Sequence, residues 1–135
     1  MRTSTSVLTI IGLAAVGCAT TSPTPVLALG PWGGAHVRMQ VTSGGARLEY
    51  DCADGVIEEP LRPDSEGWFA ATGTHTPGRP GPVRGDETLP SFRARYRGHV
   101  QDDQMSLVVT LTEAGTQLGP FELRQGSSGL VVRCL

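Results

Sequence analysis

From Ala35 onward, apolar and polar residues take turns one by one, and that period of two confines this stretch of chain to strands. Val37, Met39 and Val41 alternate with His36, Arg38 and Gln40. After Ser43-Gly44-Gly45, the residues Ala46, Leu48, Tyr50 and Cys52 alternate with Arg47, Glu49 and Asp51. Asp54-Gly55 reads as a tight hairpin turn into Val56–Leu61, where Pro60 calls for an edge or a bulge. Trp68–Thr74 forms the next run. Pro77–Pro90 is irregular, and then Phe92, Ala94, Tyr96, Gly98 and Val100 alternate with Arg93, Arg95, Arg97 and His99. Met105–Leu111, a short run around Phe121 and Leu123, and Leu130–Cys134 complete the set.

About eight short strands at hairpin spacing predict one all-β antiparallel up-and-down barrel, with a β-sandwich as the alternative. The 18 glycines and 10 prolines supply the turns, and no helical period interrupts them. The inward set is read as Val37, Met39, Leu48, Tyr50, Phe69, Phe92, Tyr96, Leu107, Val109, Phe121, Leu123 and Val132. Eight strands enclose an interior that side chains can fill or that can hold one small ligand.

The first residues read as an address. Arg2 precedes a continuous apolar run, Val7–Val16, too short to span a bilayer and suited to the core of an export signal. Ala15-Val16-Gly17-Cys18 follows and resembles the bacterial lipobox, with Ala15 where Leu is usual. That resemblance implies cleavage before Cys18 and acylation of it. Ala19 after the cysteine implies an outer-membrane address if the cell is Gram-negative; plain signal cleavage and a periplasmic or secreted protein is the alternative. Residues 1–17 are thus expected to be a signal peptide, 18–29 a Thr/Ser/Pro-rich tether and 30–135 the β-domain.

At Gly30-Pro31-Trp32 the body resembles the Gly-x-Trp opening of the calycin barrels, the lipocalin and avidin-like folds. The resemblance implies that Trp32 closes one barrel end and that Arg133 of the last strand stacks on its ring. More widely, Trp32-Gly33-Gly34, Asp51-Cys52-Ala53-Asp54-Gly55, Ala94-Arg95-Tyr96 and Cys134-Leu135 resemble a group of small bacterial exported proteins, a likeness that implies no activity. In an up-and-down barrel whose first strand holds Val37–Val41, even-numbered strands end where the first begins. Cys52 closing strand two, Cys134 closing strand eight and Trp32 would then share one rim. With Cys18 lipidated, Cys52 and Cys134 remain as an even pair in an oxidising compartment, so a disulfide between them is expected; two buried free thiols are the alternative. The long Pro77–Pro90 loop falls at the same rim, which speaks against a ligand mouth opposite the Trp end.

Function is less constrained. A formal charge of −2 gives no field for nucleic acid. His36, His75 and His99 fit no metal spacing, and no cofactor is expected. Glu58-Glu59 and Asp102-Asp103 diverge on strands, and Ser127-Ser128 forms no nucleophile elbow, so no catalytic residue is assigned. The distinctive constellation is Arg93, Arg95, Arg97 and His99, which a period of two sets on one strand face with few carboxylates on neighbouring strands. Arginine forks there would suit an envelope glycan acid, a phosphate or an acidic protein; a solvated outer face is the plainer account. The expectation is a lipid-anchored envelope protein with a non-enzymatic interaction or structural role, or alternatively a small-molecule binding barrel.

Overall fold

The structure, a computed structural model, describes residues 17–19, 25–82 and 84–134. Positions 1–16 of the expected export signal and 20–24 of the expected tether lie outside the described residues; Cys18 is exposed and takes part in no disulfide. Eight antiparallel strands close into an up-and-down barrel: β1 (Gly30–Gly34), β2 (Val37–Thr42), β3 (Gly45–Tyr50), β4 (Ala53–Ile57), β5 (Trp68–Pro77), β6 (Phe92–Gln101), β7 (Gln104–Leu111) and β8 (Gln117–Gln125). No helix occurs among the described residues.

Alternation sets the walls as expected. On β2, Val37, Met39 and Val41 are buried while Arg38, Gln40 and Thr42 are exposed. On β6, Ala94, Tyr96 and Gly98 turn inward and Arg93, Arg95 and Arg97 outward. Gly98 is required by packing: a Cβ there would lie 2.3 Å from Cζ of Phe69, whose ring fills the space. The interior holds Trp32, Met39, Leu48, Tyr96, Met105 and Leu107, each almost wholly withdrawn from solvent. At roughly 25 cal/mol per Å² of apolar area, each such side chain stabilises the fold by about 1.5–3 kcal/mol before chain entropy is subtracted. Two members of the expected inward set, Phe92 and Val132, are instead exposed. Phe92 starts β6 at the rim, and Val132 is not on a strand at all.

The strand count matches, but its two ends are shifted. The first strand is Gly30–Gly34, whose glycines conceal any alternation, and Leu130–Cys134 is not a barrel strand. After β8 the chain reverses and runs outside β1 as a strap. Leu130 bridges Ala35 in parallel and donates its N–H to the Gly34 carbonyl. Arg38 Nε donates to the Ser128 carbonyl and the Val132 N–H donates to Asp51. The strap ends in the expected disulfide, Cys52–Cys134. Cys52 lies in the β3–β4 turn at φ 58°, so that turn is Asp51-Cys52 rather than Asp54-Gly55, both of which belong to β4. Pro60 falls beyond the end of β4 and needs no bulge.

These shifts separate the two rims. The disulfide, Ala35-His36 and the 78–91 loop share one rim, here called the stapled rim. The chain enters β1 at the other. There Trp32 pairs with Gln125, the last residue of β8, and its ring N–H donates to the Ala28 carbonyl. Leu27 and Leu61, joined by Leu27 N–H to Leu61 C=O, are buried beside this end. Trp32 therefore does not share a rim with the cysteines, and the tether side of the barrel is not its stapled side. Arg133 lies against the disulfide, lining a cleft with Cys52 and Cys134, away from the expected stack on Trp32.

Candidate functional site

A basic groove on the outer wall of β5, β6 and β7 begins with a loop. Asp64 Oδ1 accepts the N–H groups of Glu66 and Trp68, both at 2.9 Å, and the Gly67 N–H donates to the Asp64 carbonyl. An Asp folding back on its own loop in this way is a common local turn device. Gly67, at φ 88°, then delivers Trp68 to the start of β5 with its ring outward. Register places Trp68 opposite His99, and the two rings meet at 4.5 Å between centroids. His99 Nε2 lies 2.9 Å from the Glu66 carbonyl. A carbonyl can only accept, so Nε2 carries a proton. The Arg97 guanidinium sits 4.8 Å from the centre of the Trp68 ring, within the range of cation–π attraction.

Register also builds the other wall. His99 pairs with Ser106, Arg97 with Val108 and Arg95 with Thr110, and Thr110 pairs in turn with Gln117 of β8. The groove between these rows has a volume of about 620 Å³, and no carboxylate lines it. Trp68 stays 41% exposed after Arg97 and His99 have packed on it. The arrangement presents two guanidinium forks, an aromatic surface, two hydroxyls and an amide. Such a set can receive an anion and hydrogen-bond a polar neighbour of that anion.

The four-residue stripe expected from the sequence is therefore divided. Arg95, Arg97 and His99 share the groove. Arg93 lies one row further along, in a separate depression lined also by Glu58 and Glu59. There Glu59 accepts hydrogen bonds from the N–H and hydroxyl of Thr72. Trp68, Ser106, Thr110 and Gln117 were not picked out by sequence. The alternation did set Trp68 out of phase with inward Phe69, which was a usable signal. The pairing that brings it to His99 spans the long 78–91 loop and leaves no local trace.

A second polar cluster lies inside the barrel near the stapled rim. The Tyr50 ring packs 5.4 Å from His75 and 5.2 Å from Phe121. The Tyr96 hydroxyl donates to the Thr74 carbonyl at 2.5 Å. The Tyr50 hydroxyl and His75 Nδ1 are buried without a hydrogen-bond partner among the described residues. Burial drives the Tyr50 phenol well above its ordinary value and pushes Tyr96 up to about 12. It holds His75 below the usual imidazole range against the opposing pull of Asp54. At neutral pH all three are uncharged, as burial without an ionic partner requires. The 520 Å³ cleft above them mixes Arg38, Glu49, Asp54, Arg79 and Arg133; Arg38 is paired with Glu49 and Arg79 with Glu87. Among the described residues, no three His, Cys, Asp or Glu side chains come together as a metal site.

Comparison with protein-family models, with curated proteins and with solved structures finds no match to this chain.

Proposed function

We propose that this chain is an exported bacterial envelope protein, anchored by lipid at Cys18, that binds an anionic partner through the groove of Arg95, Arg97 and Trp68. The observation that carries the reading is the groove's composition: two arginines and a histidine around an exposed tryptophan, with no acidic residue in the lining. Structural surface arginines are commonly paired, as Arg38 and Arg79 are on this molecule. Export accords with the Cys52–Cys134 disulfide, which belongs to an oxidising compartment. Anchorage rests on the lipobox resemblance and on Cys18 standing outside the disulfide.

The alternative, a small molecule held inside the barrel, finds its best footing in the Tyr50 hydroxyl and His75 Nδ1. That space is filled by the protein's own side chains. A Cβ on Gly55 would already meet the Tyr96 hydroxyl at 2.5 Å and the Tyr50 ring at 3.3 Å.

The test separates anchor from groove. Cys18→Ala should abolish labelling by radioactive palmitate and free the body from membranes at high salt. In that background, the body should still sediment with isolated envelopes in low salt, because exposed charge attraction survives only at low ionic strength. Adding Arg95→Gln and Arg97→Gln should weaken retention roughly tenfold, and Arg93→Gln should change it little. Retention indifferent to the double change would remove the groove from the function.

A further inference from the structure

We infer that the anion received by this groove is the carboxylate of an acidic sugar in an extended polysaccharide; the inference rests on the anion-binding role proposed above. A bare phosphate surface needs only cationic forks. This groove adds features that such an anion does not use. Trp68 keeps 41% of its surface exposed beside Arg97, so an apolar aromatic surface borders the charge. Ser106 and Thr110 face Arg97's neighbours across β7, and Gln117 extends the same wall onto β8. A uronic acid unit carries those complements on one ring: a carboxylate, hydroxyls that both donate and accept, and an apolar C–H face that packs against an aromatic surface.

Dimensions agree with a chain rather than one residue of it. Arg95 and Arg97 are two positions apart on one strand, roughly 7 Å by ordinary strand rise. The groove, about 620 Å³, is lined from four adjacent strands, β5 to β8. Its floor is made of paired barrel strands, with no free strand edge onto which a peptide could add. A peptide therefore cannot add to this wall as a strand, and a protein partner would meet it through side chains alone.

Held by the Asp64–Gly67 turn and by His99, Trp68 needs no rearrangement before binding. Trp32 is fully buried at the far side of the β1 wall, so a change in tryptophan emission on ligand addition reports on Trp68.

The experiment titrates the full chain in detergent with polygalacturonate, dextran and polyphosphate, following tryptophan emission and heat of binding. Polygalacturonate should bind and shift the emission; dextran should not bind; polyphosphate should bind without a comparable emission change. Ser106→Ala with Thr110→Ala should weaken polygalacturonate roughly tenfold and leave polyphosphate unaffected. Trp68→Ala provides a second variant on a different strand and should erase both the emission change and the preference. Equal binding of the two polyanions, insensitive to the β7 pair, would overturn the acidic-sugar assignment while leaving the anion site standing. Failure of both polyanions to bind would overturn the two readings together.

Discussion

The barrel has a short-stranded side and a long-stranded side, and they are held together differently. Strands β1 to β4 are 5 or 6 residues long, whereas β5 and β6 have 10 each. The closing seam is the briefest pairing: β1 meets β8 only through Trp32 with Gln125 and Gly33 with Arg124. Here the outer surface is occupied by the strap, and its polar side chains are committed to backbone. Arg38 binds Ser128 and Asp51 binds Val132. On the long side, register runs unbroken from Trp68–His99 to His75–Phe92, and among the described residues Arg95 and Arg97 make no such bond to a backbone carbonyl. Where backbone pairing is extensive, the outer wall is left clear of strap contacts; where it is brief, that wall is used for closure.

The comparison is most easily broken at the staple. Cys134→Ala frees the strap end and removes a crosslink spanning 82 positions, which should lower stability by about 2–5 kcal/mol. Hydrogen exchange should be most accelerated at Trp32, Gly33, Arg124 and Gln125, with Ala94–Gly98 changed only as far as global stability falls. Uniform acceleration would mean that the seam is no weaker than the remaining wall.

Much of this division was legible in the sequence, though not for the reasons first available. Alternation exposes which residues of β2, β3, β6 and β7 face inward because one face of each is buried and the other wet. Gly30–Gly34 offers no such contrast, since glycine reads as neither. Leu130–Val132 offers a false one: their apolar side chains suggest a strand, yet Leu130 is 73% exposed on the outside of β1. Missing the first strand and adding a last one changed the strand numbers but not the direction in which the chain runs past either cysteine. Cys52 and Cys134 were therefore still placed together at the rim where Val37 begins, and the disulfide was found. Trp32, on the strand that was missed, was assigned to the wrong rim, so Arg133, correctly placed beside Cys134, has no Trp32 ring to stack on. In the groove, alternation located Arg95, Arg97 and His99, but Trp68, Ser106 and Thr110 arrive through cross-strand register, which depends on loop length as well as on pattern.

A subtler change leaves the disulfide intact and lifts the strap from beneath. The outward side of Gly33 is covered by the returning chain: a Cβ there would lie 2.2 Å from the Gly129 nitrogen and 2.7 Å from the Ser127 carbonyl oxygen. Both are backbone atoms, which cannot rotate away. Gly33→Ala should therefore cost about 1–3 kcal/mol, as overpacking of a tight contact does. Chemical denaturation measures it, with Ala70→Gly on the outer face of β5 as the comparison. A Gly33→Ala protein as stable as wild type would show that the strap rests loosely and that the seam closes without it.

The smallest effect concerns charge at the strap. Asp51 Oδ1 accepts the Val132 N–H at 2.7 Å, and Oδ2 meets His36 Nδ1 at 2.5 Å. Both contacts favour the ionised carboxylate, the backbone donor most strongly, and together they hold its pKa below the ordinary 3.8. A carboxylate whose folded pKa is depressed contributes stability in full above its unfolded pKa, and that contribution fades as pH falls toward the folded value. Asp51→Asn should therefore melt slightly below wild type at neutral pH. The gap should begin to narrow only as pH drops through 3.8, and should vanish once the wild-type carboxyl is protonated. Differencing the two proteins cancels the other carboxylates, which titrate in both. Because Asp51 is open to solvent, added salt should shrink the gap as well. The absence of a gap at any pH would assign the strap's hold to the backbone donor alone, since Asn retains an acceptor oxygen for Val132 but carries no charge to lose.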